Sequence, residues 1–280
     1  MDVVIFGFGH VGRVLTFGLL QTGKPLRIHV IDPSAKIAGG LLDLQHAAEG
    51  TDHSISRADQ DVLSKADFIF HCAGGSVLEG MTRLDLAKSN SQLTRDVFSK
   101  YSLKPDCKVI VISNPVDVLT YWSWKASGLP KEQVVGTGTM LEVLRLSQML
   151  HGERHLVLGE HGPSCSVVGK DRGHDWEGIH KELVGMAGRI KQTAEVTKYG
   201  VCQVAIMIFI AFQSEKEIEM VVGRVIESND ISGLKCSPVA LGVPVSISSK
   251  GCHLNSGLIG NDELEAIEHG IKILSQYTVE

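Results

Sequence analysis

Residues 2–12 read Asp2-Val3-Val4-Ile5-Phe6-Gly7-Phe8-Gly9-His10-Val11-Gly12, an apolar run that ends in glycines spaced G-x-G-x-x-G and then enters a helical pattern. A run this short, apolar at successive positions, suits a strand buried on both faces of a parallel sheet. Each glycine has its own task. The first permits a tight turn from strand to helix, the second lets a diphosphate approach the backbone, and the third lets helix and strand pack closely. The helix N-terminus then faces the anion. A glycine-rich turn by itself is common, and alone would be read only as a tight connection. Twenty residues past Gly12, at the end of the next apolar run, stands Asp32. A carboxylate there accepts from both hydroxyls of a ribose and repels a 2′-phosphate. Asp32 also precedes Pro33, the pattern of an Asp-Pro turn, but the strand-turn-helix setting favours a dinucleotide site, and NAD over NADP.

Outward from this unit, β-branched runs at 2–6, 26–31, 67–72, 108–112 and 134–135 alternate with helical periodicity over 11–21, 84–101 and 116–126. That alternation predicts an α/β chain, a Rossmann-type doubly wound parallel sheet spanning residues 1–139. Beyond Thr139 the rhythm changes. A helix from Leu141, a strand at 156–158, one long helical stretch over 176–212, strands around 239–248 and a helix over 262–277 predict an α+β domain spanning 140–280. The one long loop is 169–175, rich in Gly, Asp and charge.

The 280 residues are 43% apolar and 21% charged, enough for a substantial core. With 27 Lys and Arg against 32 Asp and Glu, the net charge of −5 and the lack of a basic stripe argue against nucleic acid as a partner. The longest apolar run, Val201 to Phe212, contains Gln203 and falls short of the roughly 20 residues that cross a bilayer, so no membrane partner is expected. Met1 leads straight into the first strand without a signal-like segment, and the six scattered cysteines form no C-x-x-C pair. Both features fit a reducing, cytoplasmic setting. Neither H-E-x-x-H nor finger spacing occurs among the 12 histidines, so no metal site is expected.

Four further segments occur in order: Gly80-Met81-Thr82-Arg83-Leu84, Ser113-Asn114-Pro115-Val116-Asp117, Gly136-Thr137-Gly138-Thr139 running on to Arg145, and Gly159-Glu160-His161-Gly162. Together with Asp43-Leu44-Gln45-His46 they make the chain resemble the L-lactate/malate dehydrogenase family of NAD-dependent 2-hydroxy acid dehydrogenases, most closely its L-lactate members. The resemblance runs from Val3 to the C-terminal helix. It thins between about Val168 and Val239, where this chain is shorter than typical members.

The resemblance implies a division of labour that the chemistry requires independently. Reducing a 2-oxo acid needs a carboxylate clamp, a proton donor to the carbonyl oxygen, a polariser of that carbonyl and a dry pocket. Arg145 matches the clamp, and a guanidinium fork suits a carboxylate. His161 matches the proton donor and acceptor, the role imidazole serves near neutral pH. Arg83 lies on a segment, 74–83, that resembles a mobile lid and would arrive on closure to stabilise charge on oxygen. Asn114 would contact substrate or nicotinamide, and Ala73 and Gly74 join Gly7, Gly9, Gly12 and Asp32 as cofactor contacts. Singly, Arg145 and Arg83 read as surface charges, and His161 and Asn114 as turn residues. Their order, each beside its matching neighbours, is what points to a site. Membership also implies a homo-oligomer, a dimer or tetramer, with 43–47 on an interface helix.

Three departures stand out. Three residues before the clamp arginine the family carries an aspartate that holds the catalytic histidine, and here that position is Glu142. Six residues before Arg83, where the substrate's variable end is read, stands Val77, an uncharged residue that cannot pair with a second carboxylate and so disfavours malate. Cys202 stands where lactate enzymes place a threonine near the substrate methyl. Val77 and Cys202 would form an apolar wall suited to pyruvate or larger aliphatic 2-oxo acids. The alternatives are a malate dehydrogenase, or a catalytically reduced relative that binds NAD in a regulatory role.

Overall fold

The computed structural model describes residues 1–75, 84–171, 173–194 and 196–278. The first half is built from β1 (Asp2–Phe6), α1 (His10–Leu19), β2 (Arg27–Ile31), α2 (Ala38–Ala48), β3 (Ser54–Arg57), β4 (Phe68–His71), α3 (Ala87–Phe98), β5 (Lys108–Val111), α4 (Val116–Ser127) and β6 (Val134–Gly136). The second half contains α5 (Met140–Met149), β7 (Leu156–Leu158), β8 (Ser166–Val168), α6 (Trp176–Lys191), α7 (Tyr199–Ala211), β9 (Ile218–Ile226), β10 (Val239–Ser248), β11 (Gly251–Leu254) and α8 (Asn261–Leu274).

Side chains alternate across a strand, so an apolar run buries both faces of the sheet. In β1, Val3 and Ile5 enter the core cluster that contains α1 and α7, while Val4 and Phe6 enter the opposite cluster with Val97, Phe98 and Leu119. Strand β5 does the same with Ile110 against Val109 and Val111. The sheet order is β11-β10-β9-β6-β5-β4-β1-β2-β3, with β6 through β3 parallel. Strand order reverses between β1 and β4, and a doubly wound sheet opens its ligand crevice at such a reversal. Strands β9, β10 and β11 continue this same sheet in antiparallel fashion beyond β6, and β7 and β8 form a separate hairpin.

The long helical stretch expected over 176–212 is two helices: α6 ends at Lys191 and α7 begins at Tyr199. The β-branched Thr193, Val196 and Thr197 favour a break there. Strand β3 had no sequence signal, since only one of its four residues is buried. Among the described residues, no helix is long and apolar enough to cross a membrane. All six cysteines are free thiols.

Candidate active site

The crevice begins at the β1–α1 turn. Gly7 has φ +95°, and a Cβ there would lie 2.4 Å from the backbone nitrogen of Ala73. A Cβ on Gly12 would lie 2.2 Å from the carbonyl oxygen of Gly7. Gly9, by contrast, has no neighbour within 4 Å of where its Cβ would stand, which leaves the helix N-terminus open to a ligand. Asp32 is held by the same turn: its two carboxylate oxygens accept from Phe8 N at 2.8 Å and Ser34 N at 2.9 Å. Each oxygen keeps lone-pair capacity for a ribose hydroxyl. A cleft of about 710 Å³ is lined here by Gly7, Gly9, Asp32, Pro33, Ala73 and Gly74, among others.

An inner cleft of about 380 Å³ continues from Gly9 and Gly12 past Gly74 to Asn114, where Ala187 and Lys191 of α6 form the opposite wall. The Asn114 carbonyl oxygen accepts from Asn90 Nδ2 at 2.7 Å, and Asn90 Oδ1 accepts from Gly75 N at 2.9 Å. Asn90 on α3 thereby joins the ends of β4 and β5. The side-chain oxygen of Asn114 is buried with no hydrogen-bond partner among the described residues, an acceptor that a ligand can satisfy. Open space over Gly9, the ribose-ready carboxylate and this unfilled acceptor all suit an extended dinucleotide.

Behind the crevice lies His71 on β4, fully buried between Phe6 and Phe98. Thr94 Oγ1 donates its one proton to Asn90 O at 2.8 Å, so the contact at 2.8 Å between His71 Nε2 and that hydroxyl is donated by the imidazole. Burial pushes the His71 pKa down to about 3, so the ring is neutral at physiological pH.

The second cluster lies on α5 and on the turn after β7. His161 Nδ1 lies 3.1 Å from Glu142 Oε2, and Glu142 Oε1 accepts from Arg145 Nη1 at 3.1 Å. One carboxylate thus bridges imidazole and guanidinium, and all three side chains are about nine-tenths buried. Glu142 and Arg145 are one turn apart on α5, which puts them on one face. The His161 backbone N–H donates to Asp117 Oδ2 at 2.6 Å, fixing the histidine from α4. Thr139 Oγ1 donates to Val157 O, and Gly159 exchanges both backbone hydrogen bonds with Gly242. These contacts lock the start of α5 to β7 and β7 to β10, which sets the spacing of Glu142 and His161. With Nδ1 committed to a carboxylate, the nitrogen suited to exchanging a proton with a ligand is Nε2.

The structure therefore brings Gly7, Gly9, Gly12, Asp32, Ala73, Gly74 and Asn114 to one crevice, and His161, Glu142 and Arg145 to one cluster. Arg83 and Val77 lie outside the described residues. Cys202 is 2% exposed, and its Sγ donates to Val11 O at 3.4 Å. It packs behind Val11 at the α1–α7 contact and does not line either part of the crevice described above. Sequence reasoning missed Asp117, Asn90 and Lys191. Asp117 sat inside a segment already singled out, whereas Asn90 carries no local signal, because it acts by joining backbone groups of two other segments. The position of Lys191 depends on how α6 packs, which no local pattern carries.

Residues 1–136 match the family model described as lactate/malate dehydrogenase, NAD binding domain. The malate dehydrogenase of Archaeoglobus fulgidus is 30% identical over 291 residues, covering 99% of this chain and 98% of the relative. The L-lactate dehydrogenase of Kosmotoga olearia is 28% identical, covering 98% and 94%. Among solved structures, the Archaeoglobus fulgidus malate dehydrogenase in complex with NADH superposes with a TM-score of 0.84 at 27% identity, covering 99% and 98% of the two chains. The minor L-lactate dehydrogenase of Enterococcus mundtii gives 0.81 at 25%, covering 99% and 97%. A glycine turn and crevice built for NAD, together with a relative of this identity over the full length, place the chain in the lactate/malate dehydrogenase family of NAD-dependent oxidoreductases.

Proposed function

We propose that this chain is an L-2-hydroxy acid dehydrogenase interconverting a 2-oxo acid and its L-2-hydroxy acid, with pyruvate and L-lactate as the pair. The observation that carries the reading is the carboxylate of Glu142 shared between His161 and Arg145. Residues 1–139 serve as the cofactor half and 140–280 as the substrate half. Bound NAD supplies or accepts the hydride at the substrate's C2. Arg145 pairs with the substrate carboxylate, exchanging part of its contact with Glu142 for it. His161 Nε2 delivers the proton to the carbonyl oxygen, while Glu142 fixes the tautomer through Nδ1 and stabilises the imidazolium present before transfer. Asn114 orients the reacting groups at the end of β5, and Arg83 polarises the carbonyl as charge develops on oxygen. The chain works as a homo-oligomer in the cytoplasm. Exposed Phe17, Leu42 and Ile210 on α1, α2 and α7 support association with a second copy.

Pyruvate is favoured by Val77, which offers no charge to a second carboxylate. Malate is the second reading. It is favoured by the Archaeoglobus fulgidus relative, a malate dehydrogenase. Comparing kcat/KM for pyruvate, 2-oxoisocaproate and oxaloacetate with NADH decides between them. A preference for either monocarboxylate supports the lactate-type reading, and a clear preference for oxaloacetate overturns it. NADH binding without turnover on any of the three points to the catalytically reduced relative.

A further inference from the structure

Away from the crevice, the hairpin of β7 and β8 brings two connectors together. Leu156 pairs with Val168, so the residues just before β7 and just after β8 emerge side by side. The first connector carries Glu153 and His155, and the second carries Asp171 and His174. His174 Nε2 lies 3.1 Å from Glu153 Oε2, and His155 Nε2 lies 3.5 Å from the same oxygen. One donor atom each from Glu153, Asp171 and His174 all fall within 4.8 Å of one another. Trp176, at the start of α6, holds both imidazoles edge-on, with ring centroids 4.9 Å from His155 and 5.2 Å from His174. Its indole N–H donates to Asp171 O at 2.8 Å, so one side chain braces Asp171 and His174, two of the three donors.

We propose that Glu153, Asp171 and His174 bind a divalent transition-metal ion of the zinc class, which clips the connector before β7 to the connector before α6. One imidazole and two carboxylates form a donor set that zinc accepts with water in the fourth position, and the two carboxylates neutralise its charge. In a tetrahedron with bonds of about 2.0–2.1 Å, donor atoms stand about 3.3–3.4 Å apart. The Glu153–His174 separation of 3.1 Å lies close to that edge. The donors escape a search by metal-finger spacing because Glu153 lies far along the sequence from Asp171 and His174, and only the hairpin unites them. The clip has a structural consequence, since the connector it fixes leads into α6, and α6 carries Ala187 and Lys191 to the cofactor cleft.

The test is calorimetric titration of chelator-treated full-length protein with zinc chloride, with cobalt(II) absorption as the readout of tetrahedral coordination. The expected result is one equivalent per chain with micromolar or tighter affinity, weakened about 10-fold or more by His174→Gln and lost in Glu153→Gln/His174→Gln. Both substitutions lie outside the cofactor cleft, and an unchanged far-ultraviolet circular dichroism spectrum with a cooperative melt shows that the variants are folded. His174→Gln, a single change, decides the matter if the double variant does not fold. Absence of zinc binding by the wild type, or equally tight binding by His174→Gln, overturns the proposal.

Discussion

Replacing Glu142 by Gln keeps the side chain's length and shape while removing the charge shared by His161 and Arg145. Both contacts are 3.1 Å and largely shielded from water, so the lost charge is poorly replaced by solvent. A hydrogen bond to a charged group contributes about 1.5–3 kcal/mol, and the amide keeps a weaker version of one. The larger effect falls on the imidazolium, which loses its counter-charge and its enforced tautomer. Comparable losses in catalytic triads reduce turnover by about 10⁴, and a bridge that also touches Arg145 should lose at least about 10². The assay is kcat and KM for pyruvate with NADH between pH 5 and 9, wild type beside Glu142→Gln. The expected pattern is a fall in kcat of about 10²–10⁴ with a KM within a few-fold of wild type. An unchanged kcat with an unchanged profile would refute the bridging role.

Three further predictions follow from the same geometry. Arg145→Lys retains charge but loses the planar fork, so KM for pyruvate should rise about 10-fold or more while NADH affinity, read by fluorescence, stays unchanged. Asp32→Ser removes the ribose acceptor and the repulsion of a 2′-phosphate, so the ratio of Kd for NADPH to Kd for NADH should fall by about 10-fold or more. The His71 ring is neutral in both folded and unfolded chains above about pH 6.5. Between there and about pH 3 only the unfolded chain takes up the proton, so His71 makes stability fall by about 1.4 kcal/mol per pH unit as the solution is acidified. His71→Leu should flatten that slope in urea unfolding measured from pH 7 to pH 4, and equal slopes would show that the buried ring does not control it.

The parallel half of the fold was legible because its strands are buried on both faces and their apolar runs stand out from the chain. Val109 to Ile112 and Val3 to Phe6 could hardly be read otherwise. Strand β3 was not legible because Ser54-Ile55-Ser56-Arg57 forms an edge with a single buried side chain. The second half was read less well: β10 stands where a strand was expected, but β9 was missed, since it depends on pairing with β6 and the paired residues lie 87 and 89 apart in sequence. At the site, the cofactor residues announced themselves by spacing, since each glycine answers a local backbone need. His161, Glu142 and Arg145 carried no local signal and were reached through their resemblance to a family. Asp117 and Asn90, which hold the site from behind, act through backbone groups of other residues, so neither their type nor their spacing reveals the role.

The central claim is that His161 is the proton donor of a working dehydrogenase. The direct measurement is NADH oxidation with pyruvate, 2-oxoisocaproate and oxaloacetate, by wild type and by His161→Asn, alongside NADH affinity by fluorescence for both. The account predicts turnover by the wild type on at least one of the three. It also predicts a loss of about 10³-fold or more in the variant at unchanged NADH affinity. A variant that keeps wild-type turnover, or a wild type that binds NADH and reduces none of the three acids, would contradict it.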